Sequence, residues 1–206
     1  SAEITDLTEG DLPNEDVLVD VEYSTVNYKD GLAVTNTLPI IAKYPMVCGI
    51  DLAGTVSASD SDAWKAGDKV LVNGYGLSER HWGAYTQKQR VNPDFLVRVP
   101  DALTTEECMA IGTAGYTSML AVNVIRDHGV TPDDGPILVT GSAGGVGSVA
   151  ILLLDKLGYE VVASTGRPET ADYLKSLGAS NIVARDDLAR KSKPLEKENY
   201  AGCVDS

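Results

Sequence analysis

The run ILVTGSAGGVGSVAILLLDKLGYEVVASTGRPE, Ile137 to Glu169, enters as an apolar strand pattern and meets a cluster of four glycines. It then passes through a helical pattern and leaves as a second apolar run. A strand that feeds glycines and then a helix builds an anion site. Glycine permits the tight turn and a close approach of phosphate to backbone, and the helix start offers unpaired N–H groups and the positive end of its dipole. The pattern Gly141-Ser-Ala-Gly144-Gly145-Val-Gly147 departs from the literal G-x-G-x-x-G. Its strand–loop–helix context still fits a dinucleotide pyrophosphate loop, with Gly147 placed for close helix–sheet packing; an ordinary structural turn is the plainer alternative.

The end of the second apolar run sharpens this reading. Sites selective for NAD place Asp or Glu about 20 residues past the glycines, to hold the ribose 2′-hydroxyl. Here that region reads Ser164-Thr165-Gly166-Arg167. Hydroxyls and a guanidinium accept a 2′-phosphate that a carboxylate would repel, so the expected cofactor is NADPH. The competing reading has Arg167 merely facing solvent.

Outward from this stretch, strands and helices alternate: Ile137–Thr140, Gly145–Leu157, Glu160–Ser164, Pro168–Leu177 and Asn181–Ala184. Such alternation predicts parallel strands joined by crossover helices. A further strand is expected to begin in Ala201–Ser206. The first half has a different character. From Asp16 to Tyr23 the period of two puts Val17, Val19, Val21 and Tyr23 on one face and Asp20 and Glu22 on the other. Met46–Ala58, Gly67–Gly74 and Phe95–Pro100 read as further strands, punctuated by Pro45, Gly49, Gly54 and Gly67, with only short helical turns between them. Thr104 and Glu107 have the spacing of a capping box, so Thr104 to Ile125 is expected to hold one or two helices, broken near Gly112–Gly115. The fold class is therefore α/β, with a β-rich lobe over 1–108 and a partial doubly wound parallel sheet, the cofactor domain, over 109–206.

The 206 residues carry a formal charge of −13. That field repels phosphate backbones and anionic membrane surfaces, so neither nucleic acid nor membrane is an expected partner. No apolar run in the sequence approaches the about 20 residues that cross a bilayer. The first thirty residues hold nine Asp or Glu against Lys29 alone, which reads as a solvated acidic face or as adaptation to high salt. Cys48, Cys108 and Cys203 are far apart and form no C-x-x-C, the usage of reduced thiols in the cytoplasm. His81 and His128 stand alone, and nothing supplies the grouped ligands of a zinc site, so the chain is expected to be metal-free.

VNYKDGLA (Val26–Ala33), PMVCGIDLAGTV (Pro45–Val56), GLSERHWGAY (Gly76–Tyr85), GTAGYTSML (Gly112–Leu120), VTGSAGGVGS (Val139–Ser148), YLKSLGASNIVARDD (Tyr173–Asp187) and PLEKENYAG (Pro194–Gly202) carry a resemblance that covers essentially the whole chain. In these stretches the chain resembles the medium-chain dehydrogenase/reductase superfamily, its zinc-free quinone-oxidoreductase-like branch, and within that the acrylyl-CoA reductase group. The resemblance implies a GroES-like β-rich catalytic lobe followed by a Rossmann-type cofactor domain. Zinc-dependent relatives carry Gly-His-Glu where this chain has Gly49-Ile50-Asp51, so a metal ligand is missing. By position, the resemblance places Tyr28 near the nicotinamide and Ala143, Gly144, Gly145 and Val146 in the pyrophosphate loop. It sets Thr165, Gly166 and Arg167 around the 2′-phosphate, with Arg185 as a second basic contact.

The implied reaction is reduction of an activated C=C bond, with acryloyl-CoA or a related α,β-unsaturated acyl-CoA as substrate. Hydride goes to the β-carbon, and a donor stabilises the charge that develops on the carbonyl oxygen before the α-carbon is protonated. Tyr28 is the candidate donor and catalytic residue, although it could instead only pack against the cofactor. Arg80 and His81 could touch substrate or simply belong to a surface loop. A quinone or enone reductase is the alternative enzyme, and a non-catalytic NADPH-binding protein the alternative of another class. A doubly wound domain has six strands, of which three and the beginning of a fourth are legible, so the chain reads as incomplete at its C-terminus. The family likeness further implies a homodimer at full length.

Overall fold

The computed structural model of the chain describes residues 2–191 and 194–206. Its elements in chain order are β1 (Val17–Ser24), α1 (Tyr28–Thr35), β2 (Asp51–Ser59), β3 (Lys69–Asn73), β4 (Lys88–Val91), β5 (Val97–Arg98) and α2 (Thr105–Asp127). There follow β6 (Ile137–Val139), α3 (Gly145–Lys156), β7 (Val161–Thr165), α4 (Ala171–Ser176), β8 (Asn181–Ala184), α5 (Arg185–Leu188) and β9 (Gly202–Val204). Two compact units result, Ser1–Thr113 and Ala114–Ser206.

The first unit is built on an antiparallel sheet of order β4-β1-β2-β3-β5. Val17, Val19, Leu52, Val56, Val70 and Val72 close its core. The expected inward Val17 and Val19 are buried and Asp20 is exposed, but Leu18 is buried as well, and the expectation fails at the end of β1, where Tyr23 is 43% exposed. The pairing of β1 with β2 shifts register between Val21 and Tyr23, and such a bulge re-aims every side chain beyond it. Gly54 lies inside β2 instead of punctuating it, because a Cβ there would stand 2.1 Å from the carbonyl oxygen of Asp20. Strand β4 (KQRV) lacks an apolar alternation and was not expected. Its buried Gln89 is satisfied by the Gly83 carbonyl and the Arg90 amide. Helix α1 also exceeds the expected turn: the Asn27 amide donates to Asp30 Oδ2 at 2.8 Å, which secures its first turn.

The capping box forms as expected, with the Glu107 amide donating to Thr104 Oγ1 at 3.1 Å and the Thr104 amide to Glu107 Oε2 at 2.8 Å. The helix it starts is long and apolar enough, by length and composition, to cross a membrane, contrary to the reading of the bare sequence. It is two helices, however. Gly112 sits at φ 54°, ψ −166° and interrupts it. The stretch after the break is about 22 Å long at 1.5 Å per residue, short of a hydrocarbon core of about 30 Å.

The second unit contains a parallel sheet of order β8-β7-β6-β9. The chain starts in the middle at β6, moves outward through β7 and β8, then returns to the far side of β6 as β9. This is the first part of a doubly wound sheet, and strand order reverses between β6 and β9. Ile137, Val139, Ile151, Leu154, Val161 and Val204 lie in its core. Ligands of such sheets bind beyond the carboxyl ends of the strands at the reversal, which is where the glycine turn follows β6.

Candidate functional site

In the second unit, Gly141 has φ 52°, and a Cβ there would fall 2.3 Å from the Ser206 carbonyl oxygen. Left-handed backbone and crowding together exclude any other residue. Ser142 Oγ donates back to the Val139 carbonyl at 2.6 Å, and the Gly144 amide donates to the Gly141 carbonyl at 2.8 Å, which closes the turn. At Gly147 a Cβ would lie 2.6 Å from both Gly141 O and Ser142 Cα, so the close approach there is between the first turn of α3 and the loop itself. Gly144 precedes α3 and provides no side-chain cap. The amides of Ala143, Gly145, Val146 and Gly147 have no hydrogen-bond acceptor among the described residues. A row of bare donors at the positive end of a helix fits a diphosphate.

The parallel pairing of β7 with β8 places Ser164 opposite Val183 and Thr165 opposite Ala184. Residues just past the two strand ends are thereby juxtaposed. The Arg185 guanidinium lies against Gly166, its Cζ 3.0 Å from where a Cβ would stand. Thr165 Oγ1 accepts the Arg167 amide at 3.0 Å, which curls the chain back on itself. Neither Arg167 nor Arg185 forms an ion pair among the described residues. An unpaired Arg185 guanidinium against Gly166, in a turn that also carries Thr165 and Arg167, suits a phosphate monoester.

In the first unit, Tyr28 opens α1 and is 85% exposed. Behind it lies a residue that motif reasoning did not rank. Asp51 is fully buried, and its carboxylate accepts from Thr25 Oγ1 (2.6 Å), Asn27 Nδ2 (3.0 Å), Asn73 Nδ2 (3.1 Å), the Thr113 amide (3.0 Å) and Thr113 Oγ1 (2.5 Å). Burial pushes its pKa upward, but the donors led by Thr113 and Thr25 outweigh it and hold the group below the usual carboxylate range. The legible signal was an acid inside the apolar run GIDLAGTV. The Gly112 break releases the Thr113 amide for this bond. Asp51 therefore fixes the segment from which Tyr28 projects. Arg80 and His81 line a cavity of about 390 Å³ with Lys43, Tyr44, Trp82 and Phe95, in the same unit.

Residues 13–101 match the alcohol dehydrogenase GroES-like domain. Over all 206 residues the chain is 57% identical to the acrylyl-CoA reductase of Ruegeria pomeroyi, and it spans 62% of the length of that relative. A crystal structure of the yhdH oxidoreductase from Salmonella enterica in complex with NADP superposes with a TM-score of 0.96 at 49% identity, covering 100% of this chain and 63% of that one. The yhfP protein of Bacillus subtilis with NAD bound superposes with a TM-score of 0.90 at 42% identity, covering 96% of this chain and 60% of the other.

Proposed function

We propose that the chain belongs to the medium-chain dehydrogenase/reductase superfamily, in its quinone-oxidoreductase-like branch, and that it serves NADPH-dependent reduction of an α,β-unsaturated acyl-CoA such as acryloyl-CoA. The observation that carries the cofactor half is the union of bare α3 amides with the Arg185 guanidinium set against Gly166. The substrate half rests on likeness to the Ruegeria pomeroyi reductase.

When bound, the reduced nicotinamide supplies a hydride to the electron-poor β-carbon of the alkene. The bare amides of Ala143, Gly145 and Val146 orient the pyrophosphate, and Gly144, whose own amide closes the turn onto the Gly141 carbonyl, shapes the loop they belong to. Thr165, Gly166, Arg167 and Arg185 take the 2′-phosphate. The Tyr28 hydroxyl donates to the carbonyl oxygen on which charge develops, and Asp51 holds the Asn27–Tyr28 turn that aims it. In this reading residues 1–108 act on substrate and residues 109–206 hold the nucleotide; the whole enzyme is cytoplasmic, as its cysteine usage suggests, and a homodimer, a point that stands on family likeness alone.

Titration with NADPH and NADH tests the cofactor assignment. A phosphate held by charge-assisted bonds makes NADPH about tenfold tighter or better. Equal affinity for the two nucleotides would refute it. A panel of acryloyl-CoA, crotonyl-CoA and quinones with NADPH then tests the substrate; faster turnover of a quinone than of either thioester rejects the acyl-CoA reading.

A further inference from the structure

Ser118 lies on α2 in the second unit and is fully buried. Its Oγ is 2.7 Å from the Val146 carbonyl and 2.8 Å from the Ala114 carbonyl. Its one proton reaches across to α3 or back along α2, and within α2 that carbonyl is an ordinary local acceptor for a helical serine. The bond to Val146 is the one that matters for the site, because Val146 belongs to the first turn of α3. One turn earlier on α2, the Ala114 Cβ stands 3.0 Å from the position of a Cβ on Gly145, so the helices touch there with no room to spare. The start of α3 is thus held from the side, by Ala114 against Gly145 and by Ser118 against Val146. A side-chain cap is absent at the same end.

These two facts belong together. A capping serine or aspartate would consume amides that a diphosphate needs. Holding the turn through the Val146 carbonyl fixes its position and leaves the bare amides of Ala143, Gly145, Val146 and Gly147 unspent. The geometry points to Ser118 as a positioning residue for the dinucleotide pyrophosphate, one that acts through α3 without touching the nucleotide. The inference rests on the cofactor assignment proposed above and adds a determinant that the glycine motif does not contain.

The pyrophosphate is common to NADPH and NADH, whereas the 2′-phosphate is not. Ser118→Ala is therefore expected to weaken both nucleotides by the same factor, about three- to tenfold for one lost hydrogen bond, and to leave their ratio unchanged. Ser118→Thr keeps the hydroxyl and restores affinity. Ala114→Val, which presses on Gly145 from α2, weakens both nucleotides in parallel with Ser118 intact. Equilibrium titrations at a temperature well below each variant's unfolding midpoint separate this from loss of stability, which would leave the dissociation constants of the folded protein unaltered. Unchanged affinity in Ser118→Ala, or a loss confined to NADPH, overturns the role of Ser118. If the wild-type chain binds neither nucleotide, the cofactor assignment itself has failed, and this inference falls with it.

Discussion

Single residues divide the labour of the proposed nucleotide site. Arg185 stands against Gly166 only because β8 delivers it there. Arg185→Ala should therefore lower NADPH affinity about tenfold while leaving NADH nearly unaffected, the loss of one charge-assisted contact. The ratio of the two dissociation constants checks it, and it is the opposite signature to that of Ser118→Ala. Tyr28 poses a different question, since its exposed ring makes no hydrogen bond among the described residues. Tyr28→Phe keeps the ring and deletes the donor; turnover should fall at least tenfold with nucleotide affinity unchanged. Unchanged turnover would leave Tyr28 as a packing group only. Thr165, Gly166 and Arg167 enter the proposed phosphate site through the absence of an acid after the second apolar run. Asp51 was only half legible: an acid in an apolar stretch announces a buried carboxylate, but not the donors drawn from three distant segments.

Elements show where periodicity suffices and where it does not. β6, α3 and β7 were readable because apolar runs and glycines agree with each other there. β4 was not, since Lys88, Gln89 and Arg90 pair with β1 through backbone and leave no hydrophobic signature. The helix from Thr105 reads as one continuous span in composition, yet Gly112 divides it. At the turn between β6 and α3, Gly147→Ala would put a methyl 2.6 Å from the backbone of Gly141 and Ser142. Backbone cannot yield as a side-chain tip can, so the variant should lose about 1–3 kcal/mol of stability and bind NADPH poorly. Gly144→Ala, whose methyl would meet only Gly141 O at 3.1 Å, should be milder in stability. Thermal unfolding of the two variants side by side measures the difference.

For the whole molecule, depressed carboxylates are unevenly distributed. Burial works upward on Glu22, but Lys69, Thr55 and Thr105 bring it down to about 2. Asp51 is likewise low, and both belong to Ser1–Thr113. In Ala114–Ser206 Asp134 is lowered, held by the Thr131 amide and hydroxyl. A depressed folded pKa stabilises above the unfolded value, and the gain disappears as pH falls through the folded one. The first unit should therefore lose stability below about pH 4.5, the ordinary range of an unfolded glutamate. Trp64 and Trp82, the two tryptophans, both lie in it, so their fluorescence follows this transition. Asp51→Asn should be less stable than wild type at neutral pH, and the gap should narrow as acid protonates Asp51; a constant gap down to pH 3 would contradict the assignment. Fold class and the glycine turn were written locally, because each depends on backbone freedom and side-chain chemistry within a few neighbouring residues, and the proposed nucleotide preference is argued from the same local chemistry. The Arg185–Gly166 contact, the Asp51 cluster and the grip of Ser118 on α3 were not, because each joins residues 18 or more positions apart through a strand register or helix packing that no local pattern encodes.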